Sequence, residues 1–429
     1  MIIEFVTYKS LKIKMDTLQK LIELRRDIHK NPELGFNEYS TQTKIINYII
    51  NVIGIDPQYV IKADTGLWVD IPGKCIYGQT DDGHSDNSKT IALRADMDAL
   101  PTTENTNVEW KSINKGVHHG CGHDGHIVCL LAAMERYYTT TRNNIPETCV
   151  VRFIFQPAEE GYAGAKCMIA AGCLDGVHEI YGMHNWQGDV GSLAVSPGYV
   201  MAHKMSFEIE ITGTSGHASA PQTTNDPVIT ACQLVCNLQT IVSRSLAGTD
   251  VGIISVTTIY SGETYNVIPA SAKLTGTVRD LDPSVSLHIK ERMDTIVKHT
   301  CEMNGCSGIL TFNSSKPEYP ALKNDMLQTQ EVICAAEKSG LLVTNKGLPV
   351  LGAEDFAFYL NKIPGCFFFL GNGSDVSCHN ETFDFNDDLI KIGKNMWVNL
   401  IDVCFEHNKN GSRKNSSRKN SSRKKKIKW

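Results

Sequence analysis

Five short segments of this chain carry side chains that bind metal ions or move protons. Asp96 and Asp98 stand in Ala-Asp-Met-Asp, just after the β-rich run Thr90–Arg94. Cys121, His123, Asp124 and His126 come in Cys-Gly-His-Asp-Gly-His, directly ahead of an apolar helical run. Glu159 and Glu160 follow the apolar run Cys149–Phe155 and Gln156-Pro157; His184 follows Glu179–Met183; His379 lies in the loop after Cys366–Leu370. Cysteine, histidine and carboxylate ligands suit zinc, and the histidine and carboxylate share also suits manganese, nickel or cobalt. Cys121 and His123 are two apart, so in extended backbone their side chains point the same way. A divalent ion lowers the pKa of a thiol and binds the thiolate. An isolated Glu-Glu pair is ordinarily solvated, but this one follows an apolar strand and a proline. Adjacent side chains diverge in an extended loop, which permits a division of labour: one carboxylate binds metal and the other takes a proton from water. In Ser215-Gly216-His217-Ala218-Ser219, glycine lets backbone approach a ligand, and His217 is placed to stabilise a developing oxyanion. Cys75, Cys301 and Cys404 have no ligand-like neighbours in sequence and read as structural.

Each of these segments falls at the carboxyl end of an expected strand, or between strand and helix, where open α/β sheets place their sites. Short apolar runs alternate with helical segments, the first helix spanning Asp16 to Lys30 with Asp16 as cap and Pro32 as stop. A mostly parallel sheet covered on both faces follows. The middle of the chain reads differently. Met205–Ile211 alternates apolar and polar residues, and Asp226-Pro227 opens a helix through about Arg244. Val251–Tyr260 and Ala272–Arg279 read as strands, Pro283–Met303 as a helix and Gly308–Phe312 as a strand. That is a β-α-β-β-α-β unit inserted into the α/β body. The expected division is 15–198 and 316–408 for the body, 199–315 for the insert and 409–429 for a disordered basic tail.

The bulk numbers agree with an ordinary folded body. Of the 429 residues, 41% are hydrophobic and 21% charged. The net charge of −5 is uneven: Arg413 to Lys428 carries nine Lys or Arg and no acid, so the rest stands at −5 − 9 = −14. An acidic body argues against a nucleic-acid-binding core. The Ser-Arg-Lys-Asn-Ser tail suits a localisation signal, an RNA or membrane contact, or a solvated appendage. No apolar run approaches the ~20 residues that cross a bilayer. Met1 to Met15 lacks the pattern of a signal peptide, and Met15 is an alternative start. The 14 cysteines show no disulfide spacing; Cys129, Cys149 and Cys232 sit in apolar stretches, and a reducing, cytoplasmic setting is expected.

Taken together, these residues resemble the aminoacylase and carboxypeptidase group of dinuclear metal hydrolases. The likeness is to its amidohydrolase branch, which includes hippurate hydrolases, bacterial N-acyl-amino-acid amidohydrolases and plant indole-acetyl-amino-acid hydrolases. The match runs from about Leu24 to about Asn399, through LRRDIHKNPELGFNE, IALRADMDALP, HHGCGHDGH, FIFQPAEEG, GMHNW, NVIPASAKLTGTVRDLD, GAEDFAFY and CHNETFDFND. The resemblance implies an α/β metallohydrolase catalytic domain with a mostly parallel sheet and an inserted α+β lid and dimerisation domain. It implies Cys121, His123, Glu160, His184 and His379 as ligands of two divalent ions, with Cys121 bridging them. Glu159 would be the general base, and Asp98 the acid that orients a ligand histidine. His217 and Asn266 match lid residues that reach a substrate, in the partner subunit's site if the chain is a homodimer rather than a monomer. Gln222 departs from the histidine many relatives carry there, and the basic tail lies outside the pattern. The expected reaction is hydrolysis of the amide bond of an N-acyl amino acid. The rivals are a dipeptidase or carboxypeptidase using the same site, and a non-catalytic metal-binding protein.

Overall fold

The computed structural model describes residues 17–75, 88–314 and 316–414, with side chains up to 406. The Asp16 cap, the Met1–Met15 segment and the tail beyond 414 lie outside the described residues. The first helix covers 17–30, and the helix Asp388–Lys414 carries the backbone past the expected start of the tail at 409. That stretch holds Gly411 but no proline, and a single glycine costs only ~1 kcal/mol in a helix.

An eight-stranded sheet forms the body. Its four central strands, Val150–Gln156, Thr90–Asp96, Glu179–Trp186 and Gly365–Gly371, are parallel. Antiparallel partners flank them: Gly66–Pro72 on one side and Ser192–Ala194 on the other. The central strands are near-continuous apolar runs because both faces are covered. On one face the helices His123–Thr139 and Asp388–Lys414 pack over Leu93, Phe153, Tyr181 and Phe368. On the other, Trp68, Ile154, Phe356 and Phe367 form a second cluster. Two strands expected to stop before a ligand continue through it. Asp96 closes Thr90–Asp96, and His184 lies inside Glu179–Trp186, paired with Phe369. The helix expected after Asp124 begins at His123.

A separate four-stranded antiparallel sheet holds His203–Thr212, Gly252–Ser261, Ser271–Asp280 and Ser307–Phe312. The helices Pro227–Thr240 and Pro283–Met303 cover one face, giving the β-α-β-β-α-β order. Asp226 and Asp282 each cap a helix that opens with proline, accepting backbone N–H bonds from the first turn. Strand Gly198–Met201 pairs with Leu322–Asn324, so the two chain crossings between body and insert run side by side. No helix among the described residues is long and apolar enough to cross a membrane.

Candidate metal centre and acid pair

The backbone around the cluster is bent into conformations that few residues tolerate. Gly122, at φ 90°, precedes the helix His123–Thr139; a Cβ there would meet Asn185 Oδ1 at 2.1 Å. Only glycine fits, and it lets Cys121 and His123 turn inward together. Ala158 (φ 56°) and Ala163 (φ 58°) bracket the short turn Glu159–Tyr162. Left-handed alanine costs roughly 1–2 kcal/mol. The surroundings hold it: Glu38 Oε1 accepts the Ala158 N–H at 2.8 Å while its other oxygen accepts the Thr65 hydroxyl at 2.6 Å. Asp98 accepts the N–H groups of Glu159 and Glu160 at 3.0 and 2.9 Å. His379 is also left-handed (φ 70°), and its N–H donates to Gly120 O at 2.7 Å. Such strain, gathered at one place, is a mark of function.

One donor atom each from Cys121, His123 and Glu160 lie within 4.8 Å of one another, and so do those of Asp96, His123, His126 and His184. Cys121 Sγ is 3.3 Å from His184 Nε2, and His379 Nε2 is 3.1 Å from Glu160 Oε1. His184 Nδ1 bonds Asn185 O at 2.5 Å, which leaves Nε2 for the cluster. His123 is fully buried, yet neither ring nitrogen has a hydrogen-bond partner. Its Nδ1 lies 3.4 Å from Asp98 Oδ1 and its Nε2 3.7 Å from Asp96 Oδ2. Burial would lower the pKa of His123, but Asp96 and Asp98 outweigh it and raise it to about 10. The pocket thus has an excess of negative charge. Orphaned imidazole nitrogens beside a thiol and a carboxylate, in a field that favours cations, fit a pair of divalent ions.

Glu159 is buried, and burial, then Glu354, Glu160 and Asp355, holds its carboxyl well above the ordinary range. Asp355 N–H points at Glu159 Oε1 from 3.4 Å, and the Tyr319 hydroxyl donates to Glu159 O at 2.6 Å. Arg94, fully buried, gathers Asp96 at 2.7 Å, Glu354 at 3.0 Å, Asp355 at 3.1 Å and Gln156 at 2.8 Å. Across from the acid pair, Lys204 and Arg279 are register partners on adjacent strands of the small sheet. Burial, then Arg279, lowers the Lys204 pKa, with Lys316 adding to the effect and Glu159 and Glu160 opposing it. Arg279 Nη1 is buried without a partner.

The structure gathers Cys121, His123, Glu160, His184, His379, Asp98 and Glu159. It does not bring His217 and Asn266 to them. Those two lie together on the insert, where Val267 pairs with His217 and Ala218 N–H donates to Asn266 O at 3.0 Å; both are exposed. Sequence reasoning gave no role to His126, which bonds Asp96 at 2.6 Å, or to Cys378, whose thiol receives Asn185 Nδ2 at 3.5 Å beside the cluster. It also missed Lys204, Arg279 and Arg94. The Asp96-Met-Asp98 spacing, which sets both acids on one side, was the available signal for His126. Cys404 is not isolated as expected: it shares a cluster with Glu179 and Glu331 and hydrogen-bonds Tyr181 at 3.5 Å. Cys129 and Cys149 are buried, but Cys232 is exposed on the outer face of its helix.

Comparison with known proteins places this geometry. Residues 92–403 match the profile of peptidase family M20/M25/M40. The chain is 38% identical to thermostable carboxypeptidase 2 of Saccharolobus solfataricus over 87% of its own length and 92% of that protein. It is 36% identical to N-acetyl-L-cysteine deacetylase of Bacillus subtilis, over 89% and 88% of the two chains. A crystal structure of a dinuclear metal-binding M20 peptidase from Bacillus subtilis superposes with a TM-score of 0.77 at 30% identity, covering 91% of this chain and 99% of that one.

Proposed function

Because the chain belongs to peptidase family M20/M25/M40, we propose that it hydrolyses the amide bond of N-acyl amino acids, hippurate-like conjugates among them. The cationic group Lys204, Arg279 and Lys316 beside the Glu159–Glu160 pair carries this reading: Lys316 Nζ and Lys204 Nζ lie 3.5 and 3.9 Å from where a Cβ on Gly161 would stand, and Arg279 is the register partner of Lys204. It offers an α-carboxylate a charged, partly dry seat next to a proton-transfer group, and Arg279 Nη1 has a donor to spare. Cys121, His123, Glu160, His184 and His379 are the residues that would hold two divalent ions, zinc, manganese, nickel or cobalt. When bound, the ions polarise the scissile carbonyl and make water more acidic.

The chain's own residues supply the rest. The Glu159 carboxylate takes the proton of the attacking water and passes it to the leaving nitrogen, so that it ends the cycle as it began. Asp98 pins the backbone of the pair and faces His123. His217 stabilises the oxyanion and Asn266 contacts the substrate, both reaching the site from the lid of a second copy in a homodimer. The similarity to a deacetylase of an N-acetyl amino acid supports the acyl-amino-acid substrate. The similarity to a carboxypeptidase supports the rival, a peptide substrate cleaved by the same groups.

The test is a substrate panel with metal-reconstituted protein, N-acyl amino acids against dipeptides and longer peptides, in parent and Glu159→Gln. The proposal expects the highest kcat/KM on an N-acyl amino acid. It expects a loss of about 10²- to 10⁴-fold in the variant at unchanged metal content. Preference for peptides would move the reading to the rival. Near-parental turnover in a metal-loaded variant would remove Glu159 from its role.

A further inference from the structure

Apart from the catalytic cluster, three buried residues meet on the far side of Asp124. His29 comes from the helix 17–30, Glu104 from the segment after Asp98, and His118 from just ahead of Cys121. All three are buried, His29 and His118 completely. One ring nitrogen of each histidine and one oxygen of Glu104 lie within 4.8 Å of one another. The two rings meet edge to face with centroids 5.5 Å apart.

The groups behind them are arranged as metal ligands require. His29 Nδ1 bonds Asp124 Oδ2 at 2.9 Å, which directs Nε2 toward Glu104 Oε1, 3.3 Å away. His118 bonds Phe383 O through Nε2 at 3.1 Å. Its Nδ1 is buried with no partner. A carboxylate behind one imidazole and a backbone carbonyl behind the other is the outer support that orients metal-binding histidines. Glu104 is held as well, accepting the Ser112 N–H at 2.7 Å and the Thr106 hydroxyl.

We propose that His29 Nε2, Glu104 and His118 Nδ1 form a further metal site, distinct from the catalytic pair, that takes a zinc-class divalent ion. Two imidazoles and one carboxylate are a zinc donor set. Asp124 Oδ2 holds His29 Nδ1 at 2.9 Å and so leaves Nε2 facing Glu104. Burial keeps His118 below its ordinary pKa against the pull of Glu104, hence in the neutral form that binds metal. The ion ties the first helix to the segment leading into Cys121, so its role is structural.

Crystals of the full chain grown with zinc, measured at the zinc absorption edge, test the site directly. An anomalous peak about 2.0–2.2 Å from His29 Nε2 and Glu104 is expected. In solution, cobalt-loaded His118→Gln and Glu104→Gln should each retain about one ion fewer per chain than the parent. Both should keep the thiolate-to-cobalt absorption band that belongs to Cys121. Cys121→Ser should show the reverse, losing the band while keeping this ion. No peak among the three side chains, or equal ion counts in parent and both variants, overturns the proposal. In that outcome peaks at the Cys121 cluster alone would still leave the catalytic reading intact.

Discussion

Asp98 shows how few atoms position the Glu159–Glu160 pair. Its two oxygens receive consecutive backbone N–H groups from Glu159 and Glu160, and one of them also faces His123 Nδ1. Asparagine there would turn an amide N–H toward a backbone N–H and remove the charge that favours a cation. Asp98→Asn should therefore weaken metal binding by about 10- to 100-fold, measured by competition with a chromophoric chelator. Unchanged affinity would show that the acid pair is held by other contacts. Arg279 makes a different demand, because its unpartnered Nη1 has value only when an anion arrives. A hydrogen bond to a charged group contributes about 1.5–3 kcal/mol, or roughly 10- to 100-fold. Arg279→Ala should lose that much kcat/KM on an N-acyl amino acid. The matching N-acyl amine, which lacks the carboxylate, should barely respond. Equal losses on both would place the guanidinium away from the substrate carboxylate.

The elements hold these residues through buried charge. Arg94 joins strand Thr90–Asp96 to Gln156 and to the Glu354-Asp355 turn, all out of water. Removing one member of such a network strands the others, at about 3–5 kcal/mol. Arg94→Met should lower the stability read from urea unfolding by that amount. At the start of strand His203–Thr212 in the small sheet, His203 bonds Asp280 at 2.7 Å and Glu318 at 2.6 Å. Burial opposes its protonation, but the two carboxylates prevail and raise its pKa. A raised folded-state pKa gives stability that is complete below the unfolded value of ~6.5 and fades as pH rises through the folded one. The stability gap between parent and His203→Gln should accordingly shrink as pH rises above ~6.5. A constant gap would assign the contribution to packing. These networks also mark the limit of what the chain discloses in one dimension. Pro283–Met303 was legible to the residue because Asp282 and Pro283 announce its start. The candidate ligands stood out because each sits at or near a strand end in a short, chemically dense motif. Arg94 with Asp355, and Lys204 with Arg279, could not. Arg94 and Asp355 are joined by a side-chain ion pair and Lys204 and Arg279 by strand register, and both pairs are far apart in sequence. Strands as short as Ser192–Ala194 and Leu342–Thr344 carry too few residues for a period to show.

At the scale of the whole molecule, the site is unevenly supplied. The body provides the candidate ligands, the candidate base and its supports, while His217 and Asn266 stand exposed on the insert, outside the cluster of their own chain. The outer edge of strand Gly252–Ser261 in the insert pairs with no other strand among the described residues, and Ile253, Ile259 and Tyr260 are exposed. An apolar, unprotected edge is a ready template for a second strand. A two-fold pairing there would repeat every contact on both copies and carry each insert toward the other body. Complementation separates this arrangement from a self-contained chain. Glu159→Gln and His217→Ala should each be nearly inactive alone. Unfolded together and refolded as a mixture, half of the dimers would be mixed. In each mixed dimer one site would combine an intact Glu159 with an intact His217 from the other subunit. About a quarter of the parental activity should return. If His217 serves its own chain's site, every site in the mixture lacks one of the two groups and no activity returns.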